Sequence, residues 1–285
     1  MQMEVQDQAS KLRQLMHRAH QTRTIAITSG KGGVGKSNIA LNLGILLSAA
    51  GNRVALIDAD LGLANLDVLM DVNVRANLSH VVNGQKRLEE VILDLPCGVQ
   101  LVPGASGLAK LAHLSEFQRA QLVQELSALE SDNDVIIIDT GAGIGPDMLQ
   151  FTSGADRTIV VTAPEPTAIT DAYAVIKVLS QRGYRGSIGL LVNFATDRME
   201  ARSTFQRIST VARQFLGAKV LDAGYVLNDP KVRDSVRRRQ PFVLAHPRCA
   251  ASRCLAALAT KLCSGGALVD RKEEGFFKRV ADWFA

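Results

Sequence analysis

The segment GKGGVGKS, residues 30–37, follows the apolar run TIAIT and opens the helical pattern SNIALNLGILL. Glycines at these spacings let successive backbone N–H groups converge on phosphate oxygens, and the helix N-terminus adds partial positive charge. In this pattern the Lys36 ammonium reaches the β- and γ-phosphates and the Ser37 hydroxyl holds Mg²⁺. The predicted nucleotide cradle is therefore Gly30, Lys31, Gly32, Gly33, Val34, Gly35, Lys36, Ser37 and Asn38.

Two carboxylate-bearing segments complete this chemistry. DVIIIDTGAG (134–143) is an apolar run ending in Asp139, where an acid orients a Mg²⁺-bound water. Gly141 and Gly143 let the following loop approach the γ-phosphate and move when it leaves. LIDADLGLANLD (56–67) carries Asp58, Asp60 and Asp67. Asp58 closes a strand and can point at the metal. Asp60 lies just beyond, where it can position the attacking water. Asp60 and, more so, Asp67 also fit a plain turn that caps the next segment.

These groups need a scaffold that holds strand ends beside helix starts. Short β-branched runs at 24–29, 53–58, 99–104, 134–139, 157–163, 187–193 and 222–227 alternate with helical patterns. The helical patterns start near Lys36, Ser115, Asp147, Ala168, Met199, Pro230 and Ala250. Alternation of this kind predicts an α/β fold: a doubly wound, mostly parallel sheet with helices on both faces. Ligands then bind beyond the carboxyl ends of the strands.

With 285 residues, 47% of them hydrophobic, the chain can bury a large core. The net charge of +5 permits an anionic partner without requiring one. Cys97, Cys249, Cys254 and Cys263 form no CxxC pair and have no zinc-like spacing, so they read as reduced thiols. The N-terminus is polar and resembles no secretory leader, and no apolar window reaches transmembrane length. The expected organisation is a helical segment at 1–22, a nucleotide-binding body at 23–264, a linker at 265–274 and an amphipathic helix at 275–285.

The second lysine of KGGVGKS, with DADLGLANLD and DTGAGIG, gives the body a resemblance to the MinD/ParA superfamily of deviant Walker A ATPases. The resemblance implies ATP and Mg²⁺ as ligands and slow hydrolysis to ADP and phosphate, stimulated by dimerisation, lipid or a partner. It implies an ATP-sandwich homodimer in which Lys31 reaches the partner subunit's phosphates, offsetting the repulsion of two facing nucleotides. Lys31, Lys36 and Asp60 become the catalytic set, and Ser37, Asp58 and Asp139 the metal set, Asp139 through water. Asn193, ending the strand GLLVN, matches the family's adenine-contacting residue, although a strand-end turn explains it too. YVLNDPKV (225–232), with Asp229, occupies the family's adenine loop, and Leu227 stands where a proline is usual.

The two ends narrow the resemblance. DQASKLR (7–13) matches the DQAxxLR element of the flagellar-number regulators, the FlhG family, also called FleN or YlxH. The element implies a partner, an FlhF-like signal-recognition-type GTPase, contacted by Asp7, Gln8, Ala9, Leu12 and Arg13. Flagellar C-ring components or a flagellar transcription activator extend that partner set. The closing GFFKRVADWFA places Phe276, Val280 and Trp283 on one helical stripe, with Phe277 and Phe284 beside it. Aromatics with adjacent cations suit an interface with anionic inner-membrane lipid; the resemblance, with two such tails paired in the implied ATP dimer, implies a cytoplasmic chain that sits peripherally on the membrane when ATP is bound. About ten residues are too few to hold a helix in water alone. Whether the tail hangs free or hides on the body without ATP stays open. The alternatives are a MinD-type division-site ATPase and a ParA-like DNA-partition ATPase. For the latter, the basic run KVRDSVRRRQPF (231–242) reads more simply as a solvated helix end, so DNA is not expected as a partner.

Overall fold

A computed structural model describes residues 22–60, 66–104, 116–264 and 275–282. The element Asp7–Arg13, the linker at 265–274 and the tail residues Trp283 and Phe284 lie outside the described residues.

The sheet has eight strands: β1 Arg23–Ser29, β2 Val54–Ala59, β3 Leu93–Asp94, β4 Val99–Val102, β5 Val135–Ala142, β6 Arg157–Thr162, β7 Ser187–Ala195 and β8 Val220–Leu227. Their order is β3-β4-β2-β5-β1-β6-β7-β8, and all pairings are parallel except that of the two-residue β3 with β4. The seven runs expected as strands are all present. β3 is too short to carry an alternation signal.

The main helices are α1 Lys36–Ala49, α4 Glu116–Asp132, α5 Pro146–Gly154, α6 Pro166–Gln181, α7 Arg198–Leu216, α8 Pro230–Arg237 and α10 Ala250–Cys263. The sequence patterns placed each of these within two residues of its start. Proline occupies the first turn of α5, α6 and α8, where its missing N–H leaves no orphan donor. The short α2 Leu66–Met70, α3 Leu78–Val82 and α9 Phe242–Ala245 were not anticipated; each is about one turn and shows no period.

Helices cover both faces of the sheet. On one face α1 buries Ile39, Leu43 and Leu47 against β1, β2 and β5, and α10 buries Leu255 and Leu258 against α1 and β8. On the other, one cluster gathers Ile136, Ile138 and Phe151, and a second gathers Val160, Ile176, Leu190 and Ile208. Central strands covered on both faces read as continuous apolar runs: the first six residues of β5 are all buried.

The C-terminal helix α11, Phe276–Asp282, joins the second of these faces. Phe276, Phe277 and Val280 are each 1% exposed and belong to the cluster around Ile136 and Phe151. This helix is therefore docked on α4 and α5 rather than free in water. Packing supplies what a seven-residue helix lacks in intrinsic stability.

Candidate functional site

β1 ends in Ser29, and the chain passes through the glycine loop into α1. Gly33 and Gly35 have φ of +79° and +90°, a left-handed backbone that favours glycine. A Cβ at Gly30 would lie 2.2 Å from the Asp171 carbonyl oxygen, and one at Gly35 would lie 2.5 Å from Asn193 Nδ2. These glycines therefore permit close approach of α6 and β7 as well as the turn. Lys36 is 8% exposed at the start of α1.

The acids converge here because β2 and β5 are neighbours in register, with Asp58 opposite Asp139. Asp58 is buried; its Oδ1 accepts the Asp60 N–H at 3.2 Å and its Oδ2 the Leu66 N–H at 3.4 Å. It thereby binds the backbone at Asp60 and at Leu66. Asp60 faces the end of β5: a Cβ at Gly141 would sit 3.7 Å from Asp60 Oδ1. Asp67 lies in the first turn of α2 and its Oδ1 accepts the Val68 N–H, the turn-capping alternative.

Asp139 is fully buried, and neither carboxylate oxygen has a hydrogen-bond partner among the described residues. Burial pushes its carboxyl up to about 7; the Lys36 charge and the nearby Ser37 hydroxyl oppose this, and Asp58 and Asp60 add to it. An orphaned carboxylate beside Lys36 and Ser37 is costly unless a cation or its water completes the site. The residues present thus fit Mg²⁺, with Ser37, Asp58 and Asp139 as the group that would hold it.

Asn193 and Asp229 are engaged within the protein. Asn193, 4% exposed, donates through Nδ2 to the Val34 carbonyl at 2.8 Å. It ties β7 to the phosphate loop while lining a cleft with Gly35, Asn38, Phe194, Asn228 and Asp229. Asp229 caps α8, accepting the Lys231 N–H at 3.0 Å, and also accepts the Ala251 N–H at 3.4 Å. Burial works against its charge, yet these N–H groups together hold its carboxyl below the usual range. Phe194 was missed by sequence reasoning. It is a non-glycine residue at φ +60°, strained and 38% exposed at this cleft.

Lys31 lies outside the cradle. Its Nζ is 3.0 Å from Glu165 Oε2 and 3.2 Å from Thr167 Oγ1, at the start of α6. Both side chains of the ion pair are substantially exposed, so the pair is weak and can be broken at small cost. Glu165 and Thr167 lie in the segment PEPTAITDAYAVIK (164–177), but the sequence reading gave them no role at the site.

The CobQ/CobB/MinD/ParA nucleotide binding domain matches residues 25–242. The chain belongs to this family. Among curated relatives it is similar to the antiactivator FleN of Pseudomonas aeruginosa, 40% identical over 245 residues, 86% of this chain and 88% of that protein. It is also similar to the flagellum site-determining protein YlxH of Helicobacter pylori, 38% identical over 265 residues, 91% and 90% of the two chains. It falls in the FleN/YlxH branch of the family. A solved structure of MinD with Mg-ADP from Pyrococcus horikoshii superposes with a TM-score of 0.68 at 26% identity, covering 85% of this chain and 96% of that one. The chain thus carries a MinD/ParA-type nucleotide-binding ATPase domain on an eight-stranded, mostly parallel sheet.

Of the predicted membrane residues, Phe276, Phe277 and Val280 are described, and they occupy a second place. The groove that receives Phe276, Phe277 and Val280 is shaped by Gly154, where a Cβ would lie 2.8 Å from Val280 Cγ2. Glu130 at the end of α4 accepts the Phe276 and Phe277 N–H groups at 3.0 and 2.9 Å, capping α11 from outside. Burial raises the Glu130 carboxyl, with those two N–H groups pulling the other way. Arg279 donates to the Gly154 carbonyl at 2.7 Å and to Asp156 Oδ1 at 3.0 Å. Sequence reasoning identified the tail's apolar stripe but not its receptor, because Glu130, Gly154 and Asp156 are separated along the chain and individually ordinary. No helix among the described residues is long and apolar enough to cross a membrane.

Proposed function

We propose that the protein is an ATP-driven dimerising switch that limits or places flagella. The observation that carries the switch chemistry is the buried, partnerless Asp139 facing Lys36, Ser37 and Asp58. Such a site is complete only with a nucleotide and its Mg²⁺. Lys36 and the loop N–H groups would bind the phosphates, Ser37, Asp58 and, through water, Asp139 would hold the metal, and Asp60 would orient the attacking water. Bound Mg²⁺ supplies charge neutralisation at the phosphates. Lys31, parked on Glu165 and Thr167, is free to exchange that exposed contact for the phosphates of a second copy.

The biological assignment rests on the relatives: an antiactivator named FleN and a site-determining protein named YlxH. On this reading the DQASKLR element acts on an FlhF-like GTPase. C-ring components or a transcription activator are further partners, and the protein sits on the inner face of the cytoplasmic membrane when ATP is bound.

The docked tail gives the membrane step a cost. Phe276, Phe277 and Val280 cannot face lipid and α4/α5 together. Each buried side chain is worth about 1.5–3 kcal/mol, whichever apolar surface receives it, so a single tail gains little by moving. Two tails in one dimer gain effective concentration, roughly 10²–10⁴-fold. Sedimentation with anionic liposomes tests this: ATP should recruit wild type and not Lys31→Ala. Equal ATP-dependent recruitment of the variant would refute the role of the dimer.

A further inference from the structure

At the far edge of the sheet, away from the nucleotide cradle and the tail groove, a solvent-open cleft of about 390 Å³ lies between α7 and β8. Its size falls within the range of small-molecule sites. Its α7 wall presents Arg198 and Arg202, one turn apart, and Phe205; its β8 wall presents Asp222, Gly224 and Tyr225.

Three features distinguish this cleft from ordinary surface. First, two arginines at i and i+4 repel each other on a helix, and neither has an ion pair or hydrogen bond among the described residues. The acids beside them are already engaged: Asp197 Oδ1 accepts the Glu200 N–H at 2.8 Å, and Glu200 Oε2 accepts the Thr196 N–H and hydroxyl at 2.7 and 2.8 Å. Second, β8 is bulged. Leu190 pairs with Asp222 but Leu191 pairs with Gly224, so Ala223 is the extra residue. Gly224 has φ +106° and donates its N–H to Asp222 Oδ1 at 2.8 Å. Bulges re-aim side chains beside sites and spoil an edge for strand addition. The cleft therefore suits a compact ligand better than an extended peptide. Third, Phe205 and Tyr225 are half-buried aromatic walls, while Asp222 is an acceptor for a donor group on the ligand.

We propose that this cleft is a second ligand site, which takes a phosphorylated ring compound of mononucleotide size. Arg198 and Arg202 receive the phosphate by charge-assisted, fork-like hydrogen bonds. The ring lies against Phe205 and Tyr225, and an amino or hydroxyl group of the ligand reaches Asp222. The site shares no residue with the phosphate loop, yet only a few residues separate Asn193, on the nucleotide side, from Arg198.

The test is equilibrium dialysis of radiolabelled AMP, GMP, CMP and UMP against the full chain. Four proteins are compared: wild type, Lys36→Ala, Arg198→Ala/Arg202→Ala and Arg198→Lys/Arg202→Lys. The expected result is saturable binding of at least one monophosphate that survives Lys36→Ala and weakens about tenfold or more in the Arg-to-Ala variant. The Lys variant, which keeps charge but loses the fork, should fall between. Unchanged melting temperatures would confirm that these exposed substitutions leave the fold intact. The proposal is overturned if no monophosphate saturates, or if binding disappears with Lys36→Ala and survives the arginine changes. It is also overturned if inorganic pyrophosphate competes as well as the nucleotides do, since the ring would then contribute nothing.

Discussion

Replacing Gly154 with alanine tests the tail groove with a single methyl group. The new Cβ would lie 2.8 Å from Val280 Cγ2 and 2.9 Å from Phe276 Cε2. The optimum carbon–carbon separation is about 3.5–4.0 Å, so the tail must shift outward by most of an ångström or leave. Overpacking of this kind costs about 1–3 kcal/mol. As a change in docking equilibrium that is roughly five- to 150-fold. The same substitution favours α5 itself by at most about 1 kcal/mol, because alanine is the better helix former. The two effects have opposite signs and separate cleanly in a cycle: the full chain and a chain ending at Ser264, each with and without Gly154→Ala. The full chain should lose melting temperature on substitution; the shortened chain should hold or gain. Amide exchange at 276–282 should quicken, and binding to anionic liposomes without ATP should rise. Equal melting shifts in both lengths would show that the tail does not rest on Gly154, and the docked geometry would be wrong.

Glu130→Ala removes the two caps on α11 and should speed amide exchange at Phe276 and Phe277, at a cost of roughly 0.5–2 kcal/mol to docking, while leaving nucleotide affinity at the cradle unchanged. Asp60→Ala should bind ATP normally yet release phosphate at a small fraction of the wild-type rate; normal turnover would remove Asp60 from the reaction. Asp139 is held at about 7 against 3.8 in the unfolded chain, so the folded state binds the extra proton between those values. Its contribution to stability is greatest below the unfolded value and is lost as pH rises through about 7, by about 1.4 kcal/mol per unit at most. Asp139→Asn should flatten that loss in nucleotide-free protein and abolish hydrolysis; denaturant titrations at several pH values read the difference.

The nucleotide site was legible because its parts are local. A glycine loop between an apolar run and a helical pattern, and acids ending apolar runs, are short-range signals. The parallel sheet then brings Asp58 opposite Asp139 without further instruction. The elements that escaped are short or long-range. β3 and α2 are too brief for a period, and the contact of Lys31 with Glu165 spans 134 residues. The tail shows the same limit: its stripe of Phe276, Val280 and Trp283, with Phe277 and Phe284 beside it, was visible, but an apolar stripe does not say which apolar surface receives it. Gly154 becomes informative only when α11 is seen above it. The Asn193 amide N–H also donates to the Val34 carbonyl, a bond that depends on the absence of a side chain at Gly35 and that the sequence does not announce.

The cradle and the tail groove stand at opposite ends of one helix. Beyond Asp139 the chain runs through Gly141 and Gly143, and the Gly143 N–H donates to the Ser29 carbonyl at 2.8 Å, fastening this loop to the base of the phosphate loop. Gly145 then starts α5, whose nine residues span roughly 13 Å and end at Gly154 beneath Phe276 and Val280. From the other side, Asp156 binds Thr24 at the start of β1 through Oδ2 and Arg279 of the tail through Oδ1. Position between two sites does not establish coupling. Linkage does supply the criterion: if ATP loosens the tail by some factor, removing the tail must tighten ATP by the same factor. The chain ending at Ser264 should therefore bind ATP more tightly than the full chain, and Gly154→Ala should tighten binding in the full chain alone. Identical ATP affinities in all four proteins would leave the docked tail intact as structure and remove it from the switch.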